Sequence, residues 1–213
     1  PTVLATLPVA EIRSGMAEVI KHGVISAPAL FAELESSPPP SPISNLHSPF
    51  SILHSQFSIS ASQIARSLHV KIDVVEEDPF EGGRRAVLNL GHTVGHALER
   101  LSGFTLRHGE AVGIGMVAAA RIAAGLDRAD PALAGRIEEV LSAWGLPVRC
   151  PRFDKLSAQH FDADAIWGAM AHDKKRRGRS LRWVLPRAIG QVEITEDVPR
   201  DVVLAVLRDL GAG

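Results

Sequence analysis

The sequence predicts a mainly α-helical fold that contains one small β-hairpin. Apolar residues recur at helical spacing along most of the 213 residues, as in Ala10 to Ile25. Two short apolar segments near the C-terminus are joined by Ala188-Ile189-Gly190, as expected for a hairpin. Gly113 and Gly115 lower the helix propensity of a long Ala-, Gly- and Val-rich segment, which indicates close packing against another helix.

The first part of the chain predicts three helices. The first spans Ala10 to Ile25, with Pro8 as its start signal, and a short second helix spans Pro28 to Glu35. Helical periodicity resumes from Ala61 to Val75. An acidic, Gly-containing turn from Glu76 to Gly83 then leads to a helix that carries two histidines.

The second part predicts further helices and the hairpin. The histidine-bearing helix ends at a connection formed by residues 101–107. The later elements are helices at Gly109 to Gly125 and Pro131 to Trp144, a segment from Ile166 to Met170 that leads into a basic run, strands at Leu181 to Leu185 and Gln191 to Ile194, and a last helix at about Pro199 to Leu210.

Residues 36–60 differ in character from the rest of the chain. This segment is rich in Pro and Ser, carries almost no charge, and contains two near-duplicate heptapeptides that begin at His47 and His54. Such a composition opposes a packed helix. We therefore expect one domain over residues 1–213, interrupted at about 36–60 by a low-complexity insertion that forms a mobile loop.

Composition excludes several classes of protein. Apolar residues make up 46% and charged residues 22%, which is typical of soluble globular proteins. The net charge of −1 provides no long-range attraction to nucleic acid or to an anionic membrane, and no apolar run is long enough to span a bilayer. A single cysteine, Cys150, excludes an internal disulfide. We expect a cytoplasmic protein without nucleic-acid or membrane partners.

A histidine-rich motif is the first candidate for chemistry. His92 and His96 lie four residues apart, so a helix projects them from one face, and His108 follows after a short turn. Three convergent imidazoles can hold a divalent metal and leave one position open. Thr93 follows His92 where a zincin metalloprotease requires Glu, which argues against that class. The alternative is a histidine pair that packs or caps within a helical core.

Glu18 and several cations are further candidates. Glu18 lies on the inner half of an apolar helix, where either a metal or Lys21, one turn later, would compensate its charge. Spacing alone favours the ion pair. Lys71, Arg85 and the basic run at 173–177 suit a phosphate or carboxylate ligand, although such groups also form solvated faces.

Five blocks of sequence occur in a specific order. They are Thr6-Leu-Pro8, Ser14-Gly-Met-Ala-Glu-Val-Ile-Lys-His-Gly23, Arg85-Ala-Val-Leu-Asn-Leu-Gly-His-Thr-Val-Gly-His96, His108-Gly-Glu-Ala-Val-Gly-Ile-Gly-Met116 and Asp173-Lys-Lys175. In order and separation they resemble the C-terminal domain of the 3-dehydroquinate synthase family, over most of the chain outside 36–60. The resemblance implies the multi-helix C-terminal domain of the dehydroquinate synthase-like fold.

The resemblance also implies roles for individual residues, and it reverses two interpretations based on spacing. It implies a metal site for Zn²⁺ or Co²⁺ built from Glu18, His92 and His108, and it makes His96 a polar catalytic group that does not bind the metal. The residues that it places around the substrate are Lys21, Lys71, Arg85, Asn89 and the 173–175 block, in which Lys175 is favoured over Lys174. The residues that it places against NAD, at a domain junction, are Thr6, Leu7 and Glu11.

The implied activity is a carbon–oxygen lyase reaction of the shikimate pathway. In the family, 3-deoxy-D-arabino-heptulosonate 7-phosphate binds with a secondary hydroxyl on the metal. Coordination lowers the pKa of that hydroxyl and permits hydride transfer to NAD⁺. Elimination of phosphate, return of the hydride and an internal aldol closure then give 3-dehydroquinate.

The chain departs from the family in two ways. In the family an N-terminal NAD-binding α/β domain precedes this region, whereas no strand followed by a Gly-rich phosphate loop occurs in the first 60 residues of this sequence. The insertion at 36–60 replaces a region that the family fills with helix. The sequence starts at Pro1 without a methionine, so we expect a truncated gene product, one half of a split enzyme, or a fragment. Such a chain should bind NAD poorly alone. Expected partners are a sugar phosphate, a separate NAD-binding domain and a second copy in a homodimer.

Three alternatives stay open. A related sugar-phosphate cyclase that makes a cyclitol is the nearest, although the presence of Arg85, Asn89 and His96 together favours dehydroquinate synthase. A metal-dependent polyol dehydrogenase has no need of the basic cluster. The third alternative, from another class, is an inactive remnant that acts only in dimerisation or interaction.

Overall fold

The computed structural model describes residues 4, 6–39, 59–80, 82–151, 161–177 and 181–213, and for residues 172–177 it describes the backbone. Most of the predicted insertion at 36–60 therefore lies outside the described residues, as do the side chains of the predicted Asp173-Lys174-Lys175 block.

The described chain is mainly helical and contains one antiparallel hairpin, which confirms the predicted fold class. The elements are, in chain order, α1 (Val9–Ser26), α2 (Pro28–Ser36), α3 (Ala61–Glu77), a 3-10 helix (Arg84–Asn89), α4 (His92–Leu101), α5 (His108–Gly125), α6 (Pro131–Ala143), α7 (Ala163–Arg177), β1 (Trp183–Ala188), β2 (Gln191–Thr195) and α8 (Arg200–Asp209).

Helix α5 forms the centre of the core. It is buried along most of its length and packs against α1, α4, α6, α8 and β1. Its glycines permit this packing, because a Cβ atom on Gly115 would come closer than 3.0 Å to the carbonyl oxygen of Gly91. A Cβ on Gly109 would overlap the backbone of Ser14 in the same way. The close helix packing predicted from the glycines of this segment is therefore observed.

The start of α3 is fixed by a capping box. The Ser60 hydroxyl accepts a hydrogen bond from the backbone N–H of Gln63, and the Gln63 side chain accepts one from the backbone N–H of Ser60. Two otherwise unpaired donors at the helix terminus are thereby satisfied. This cap sets the beginning of the helix that carries Ser67 and Lys71 toward α1.

The segment after α3 differs from the prediction of a turn at Glu76 to Gly83. Helix α3 continues to Glu77, and the 3-10 helix at Arg84–Asn89 was not predicted. The carboxylate of Asp78 organises the connection, and its pKa is held below the usual range by hydrogen bonds from backbone N–H groups. Those donors are Arg85, Gly83 and Gly82, at 2.9, 2.8 and 2.8 Å.

The hairpin packs on α5 through its first strand. Trp183 pairs with Thr195 and Leu185 with Glu193, and the register shifts between Pro186 and Ala188. The turn is attached to α1, because the backbone N–H of Gly190 donates to the carbonyl of Val24 at 2.9 Å. The second strand ends one residue later than predicted, whereas the first begins two residues and ends three residues later than predicted.

None of the helices in the described ranges combines the length and the low charge that crossing a lipid bilayer requires.

Candidate active site

Three helices bring candidate ligands together. Glu18 lies in the middle of α1, whereas His92 and His108 are the first residues of α4 and α5. Gly91, with φ of +80°, turns the chain sharply into α4 while its carbonyl touches α5. On the other side, the backbone N–H of Gly109 donates to Ser14 Oγ at 2.9 Å, which fixes α5 against α1. Backbone contacts thus set the separation of the three side chains.

The distances among these side chains fit a divalent metal ion. Nε2 of His92 and Nε2 of His108 each lie 3.8 Å from Oε1 of Glu18, and all three candidate ligand atoms lie within 4.8 Å of one another. A separation of 3.8 Å is too long for a hydrogen bond. Ligands at roughly 2.0–2.1 Å from a tetrahedral zinc would be about 3.4 Å apart, close to the observed spacing.

One oxygen of Glu18 supports the same interpretation. Oε1 is buried and has no hydrogen-bond partner among the described residues, which is costly for a carboxylate oxygen. A cation between Oε1 and the two imidazoles would satisfy it. The donor set of one carboxylate and two imidazoles, with room for a further ligand, is typical of catalytic zinc.

The other oxygen of Glu18 forms the ion pair that spacing predicted. Lys21 Nζ donates to Oε2 at 2.7 Å, and the Lys21 side chain is only 3% exposed. Burial raises the pKa of Glu18, but the charge and hydrogen bond of Lys21, with a smaller effect of His92, leave it below its usual value. Burial lowers the pKa of Lys21, an effect that Glu18 partly offsets. The ion pair and the candidate metal ligand therefore coexist in one carboxylate.

The imidazole ring of His92 is neutral and is held in one orientation by a hydrogen bond. Its Nδ1–H donates to the carbonyl of Leu90 at 3.1 Å, so Nε2 faces Glu18 with its lone pair. Burial, followed by the positive charge of Lys21, lowers the pKa of His92 to about 4. A neutral imidazole at neutral pH is the form that binds a metal.

A polar cleft of about 380 Å³ opens at this cluster. It brings together most of the residues that the sequence predicted for metal and substrate. Its lining residues are Glu18, Lys21, His22, Lys71, Arg85, Leu88, Asn89, His92 and His108. His96 is exposed beside the cleft, with its ring centroid 5.1 Å from that of His92. The cleft therefore combines a candidate metal centre with three cationic side chains.

The residues predicted to touch NAD lie apart from the cleft lining, at the N-terminal end of α1. Thr6, Leu7 and Glu11 are all exposed there. Glu11 forms an ion pair with Arg107 Nε at 3.2 Å, which links the start of α1 to the start of α5. The roles of these three residues stay predictions, as do those of Lys175, His96 and the residues that line the cleft.

Two residues of the site were missed by the sequence analysis. His22 lines the cleft and is 4% exposed, with Nδ1 hydrogen-bonded to Ser67 Oγ at 2.8 Å. Glu99 lies 3.2 Å from Nδ1 of His108. The spacing of Glu99, seven residues after His92, could have placed it on the histidine face of α4. For His22, which directly follows Lys21 in the chain, the spacing gave no comparable indication of a place in the site.

Solved structures share this fold. 2-epi-5-epi-valiolone synthase from Streptomyces hygroscopicus, solved with NAD⁺ and Zn²⁺ bound, is 25% identical, with a TM-score of 0.75 over 97% of this chain and 53% of that one. 2-Deoxy-scyllo-inosose synthase, complexed with carbaglucose-6-phosphate, NAD⁺ and Co²⁺, has a TM-score of 0.68 at 20% identity over 98% of this chain and 54% of that one, which shows the fold alone. The fold is that of the dehydroquinate synthase-like sugar-phosphate cyclases.

Sequence comparison identifies the family within this class. The model of the 3-dehydroquinate synthase C-terminal family matches residues 15–176, and the chain belongs to that family. The 3-dehydroquinate synthase of Nostoc punctiforme is 42% identical over 211 residues, which are 99% of this chain and 54% of the relative. That of Synechocystis is 43% identical over 208 residues, 97% of this chain and 53% of the relative. The chain thus spans about half the length of these relatives.

Proposed function

We propose that this chain supplies the metal- and substrate-binding half of a 3-dehydroquinate synthase. The proposed reaction converts 3-deoxy-D-arabino-heptulosonate 7-phosphate to 3-dehydroquinate with loss of phosphate, in the shikimate pathway. One observation carries the proposal: Glu18, His92 and His108 face one another in a cleft that three cations also line. Family membership and 42% identity to a named synthase support the same substrate.

In this proposal Glu18, His92 and His108 hold a divalent ion, Zn²⁺ or Co²⁺. Oxygen and imidazole nitrogen ligands suit both metals. When bound, such an ion supplies Lewis acidity that lowers the pKa of a coordinated hydroxyl. The neutral state of His92 and the uncompensated Oε1 of Glu18 fit this role.

The cations of the cleft would hold the anionic groups of the substrate. Lys71 and Arg85 extend from α3 and from the 3-10 helix into the same space as Lys21, so one ligand can contact all three. Arg binds carboxylate or phosphate through paired N–H donors, and Lys acts as a point charge. Asn89 can donate to and accept from substrate hydroxyls. Lys175 is proposed as a further cation from the family resemblance.

His96 is proposed to move protons beside the metal centre. It is the second histidine of α4, is exposed to solvent, and lies next to His92. A neutral imidazole can donate at one nitrogen and accept at the other, so it can pass a proton between substrate and water.

NAD is proposed as the second cofactor, with Thr6, Leu7 and Glu11 as contacts at the start of α1. These three exposed side chains do not by themselves fit a dinucleotide, because the described residues contain no Gly-rich turn between a strand and a helix. A nucleotide-binding segment, which the relatives' greater length can accommodate, is the proposed partner, and a homodimer stays a prediction.

The sugar-phosphate cyclases are the second candidate function. Their structural similarity supports it, since the valiolone synthase matches 97% of this chain with a TM-score of 0.75. Its identity of 25%, against 42% for the Nostoc synthase, favours dehydroquinate synthase. A chain that acted only in dimerisation would not need Lys21 buried beside an uncompensated carboxylate oxygen.

The test combines this chain with the N-terminal half of the Nostoc punctiforme synthase, produced separately, with NAD⁺ and Zn²⁺. We expect phosphate release from the heptulosonate phosphate, measured colorimetrically, and its loss in a His108→Ala variant. Release only from sugar phosphates that lack a carboxylate would favour the cyclase function.

Substrate binding to the chain alone gives a readout that does not depend on association of the halves. By calorimetry, Lys71→Met should weaken binding of the heptulosonate phosphate roughly tenfold, since it removes one charged hydrogen bond. Arg100→Met, an exposed position on α4, is the matched control. Equal affinities of the two variants would contradict the proposed cleft.

A further inference from the structure

Glu99 lies beside the site, and the proposed function gives it no role. It follows His96 by three residues and His92 by seven, so it shares their face of α4. Its side chain is only 15% exposed. A carboxylate buried to this extent requires a hydrogen-bond donor or a cation nearby.

The donor is the ring of His108. Nδ1 of His108 lies 3.2 Å from Glu99 Oε1, whereas Nε2, at the other edge of the ring, lies 3.8 Å from Glu18 Oε1. An ionised carboxylate only accepts hydrogen bonds, so Nδ1 carries the proton in this contact. In the neutral ring Nε2 is then left with its lone pair facing Glu18.

His92 has the same arrangement with a different acceptor. Its Nδ1–H donates to the Leu90 carbonyl at 3.1 Å, and its Nε2 also lies 3.8 Å from Glu18. The two rings differ in exposure, with 13% for the His92 side chain and 45% for that of His108. Packing restrains the His92 ring, whereas the more exposed His108 ring depends on its hydrogen bond for a fixed orientation.

We propose that Glu99 is a positioning residue for the metal centre, which holds His108 as the Nδ1–H tautomer and directs Nε2 toward Glu18. The inference rests on the proposed function, because it requires a divalent ion at Glu18, His92 and His108. A carboxylate behind a ligating histidine also increases the basicity of the ring. Loss of such a partner typically weakens metal binding roughly 10–100-fold.

A second metal ion is the competing role for Glu99. Ligand atoms of His96, Glu99 and His108 also lie within 4.8 Å of one another. An ion there would require His108 to lose the Nδ1 proton or to turn its ring away from Glu18. The two edges of the His108 ring already face one carboxylate each, so the contacts favour positioning.

The experiment measures Zn²⁺ and Co²⁺ binding by the chain with Glu99→Ala and Glu99→Gln. The dissociation constant comes from competition with a chromophoric chelator, and the ligand geometry from the visible absorption of bound Co²⁺. We expect Glu99→Ala to bind one ion per chain roughly 10–100-fold more weakly, with an altered cobalt spectrum. Glu99→Gln keeps an acceptor oxygen and should retain most of the affinity. Glu139→Ala, on the exposed surface of α6, is the control.

The possible outcomes separate the hypotheses. Unchanged affinity and cobalt absorption in Glu99→Ala would overturn the positioning role and leave the metal centre intact. Loss of one of two bound ions would overturn it in favour of the second site. Failure of the wild-type chain to bind any metal would contradict the proposed function itself. A readout that needs no variant is the ¹⁵N spectrum of the His108 ring in the metal-free chain, where an Nε2–H tautomer would refute the proposal.

Discussion

Acidification should destabilise the fold through His22. This residue is 4% exposed, its Nδ1 is hydrogen-bonded to Ser67, and its Nε2 is buried without a hydrogen-bond partner among the described residues. Burial, followed by the charge of Lys21, lowers its pKa to about 4 from 6.5. Between these pH values the unfolded chain binds a proton that the folded chain does not. Stability is therefore fully present above pH 6.5 and is lost as the pH falls toward 4.

The magnitude follows from the difference between the two pKa values. For a single site, linkage gives a loss of about 2.5 kcal/mol between pH 7.5 and pH 4.5. Domains of this size are typically stable by about 5–15 kcal/mol, so the effect is a large fraction of the total. His92 has a pKa of about 4 as well, and a metal bound to it would add its own dependence on pH. The measurement therefore requires chelator-treated protein and a variant that isolates His22.

The assay is urea unfolding at several pH values, with His22→Asn as the variant. Asn can keep a hydrogen bond to Ser67 and does not titrate. We expect the free energy of unfolding of His22→Asn to decrease by about 2.5 kcal/mol less than that of the wild type between pH 7.5 and 4.5. His69→Asn, an exposed position on α3, is the control and should follow the wild type. Parallel curves for wild type and His22→Asn would refute the reasoning.

Three further predictions concern packing, the metal and the cysteine. Gly109→Ala should lower the free energy of unfolding by about 1–3 kcal/mol, because a Cβ would overlap the backbone of Ser14, and should weaken Zn²⁺ binding. Gly135→Ala, where a Cβ meets nothing within 4 Å, should instead stabilise by about 0.5–1 kcal/mol in urea unfolding. Dialysed wild-type chain should contain about one divalent ion by elemental analysis, and Glu18→Ala should lose it; full occupancy in that variant would contradict the ligand set. Burial raises the pKa of Cys150 to about 11, so its thiol should react with a disulfide reagent at pH 8 much more slowly in the native chain than in urea, and equal rates would contradict that environment.

The helices were largely predictable because their apolar periodicity is long and regular. Helix α1 was predicted at Ala10 to Ile25 and observed at Val9–Ser26, and α5 was displaced by one residue at its start. The apolar periodicity did not predict the 3-10 helix Arg84–Asn89. Its two buried residues, Ala86 and Val87, are too few to give a periodic signal, and the preceding connection depends on Asp78, whose bonds span four to seven residues.

The site could be predicted only in part from spacing. His92 and His108 were candidates because they lie close in sequence, but Glu18 is 74 positions before His92, and its approach depends on how α1 packs on α5. Spacing favoured an ion pair of Glu18 with Lys21, and that pair is present. Spacing could not reveal that the two carboxylate oxygens face different partners. Spacing left a metal open as the alternative partner of Glu18, and the family resemblance favoured it. The metal role stays a prediction, in keeping with the proximity of Glu18, His92 and His108.

The different partners of the two Glu18 oxygens have a consequence for how a metal and an anion affect each other's binding. Three cations and one carboxylate line the cleft, so its formal charge favours anions even before a metal binds. A divalent ion on Oε1 would add two positive charges without displacing Lys21 from Oε2. Each ligand would then increase the affinity of the other by the same factor, as thermodynamic reciprocity requires. A phosphorylated acid held in the cleft would thus retain the metal, and the metal would retain the acid.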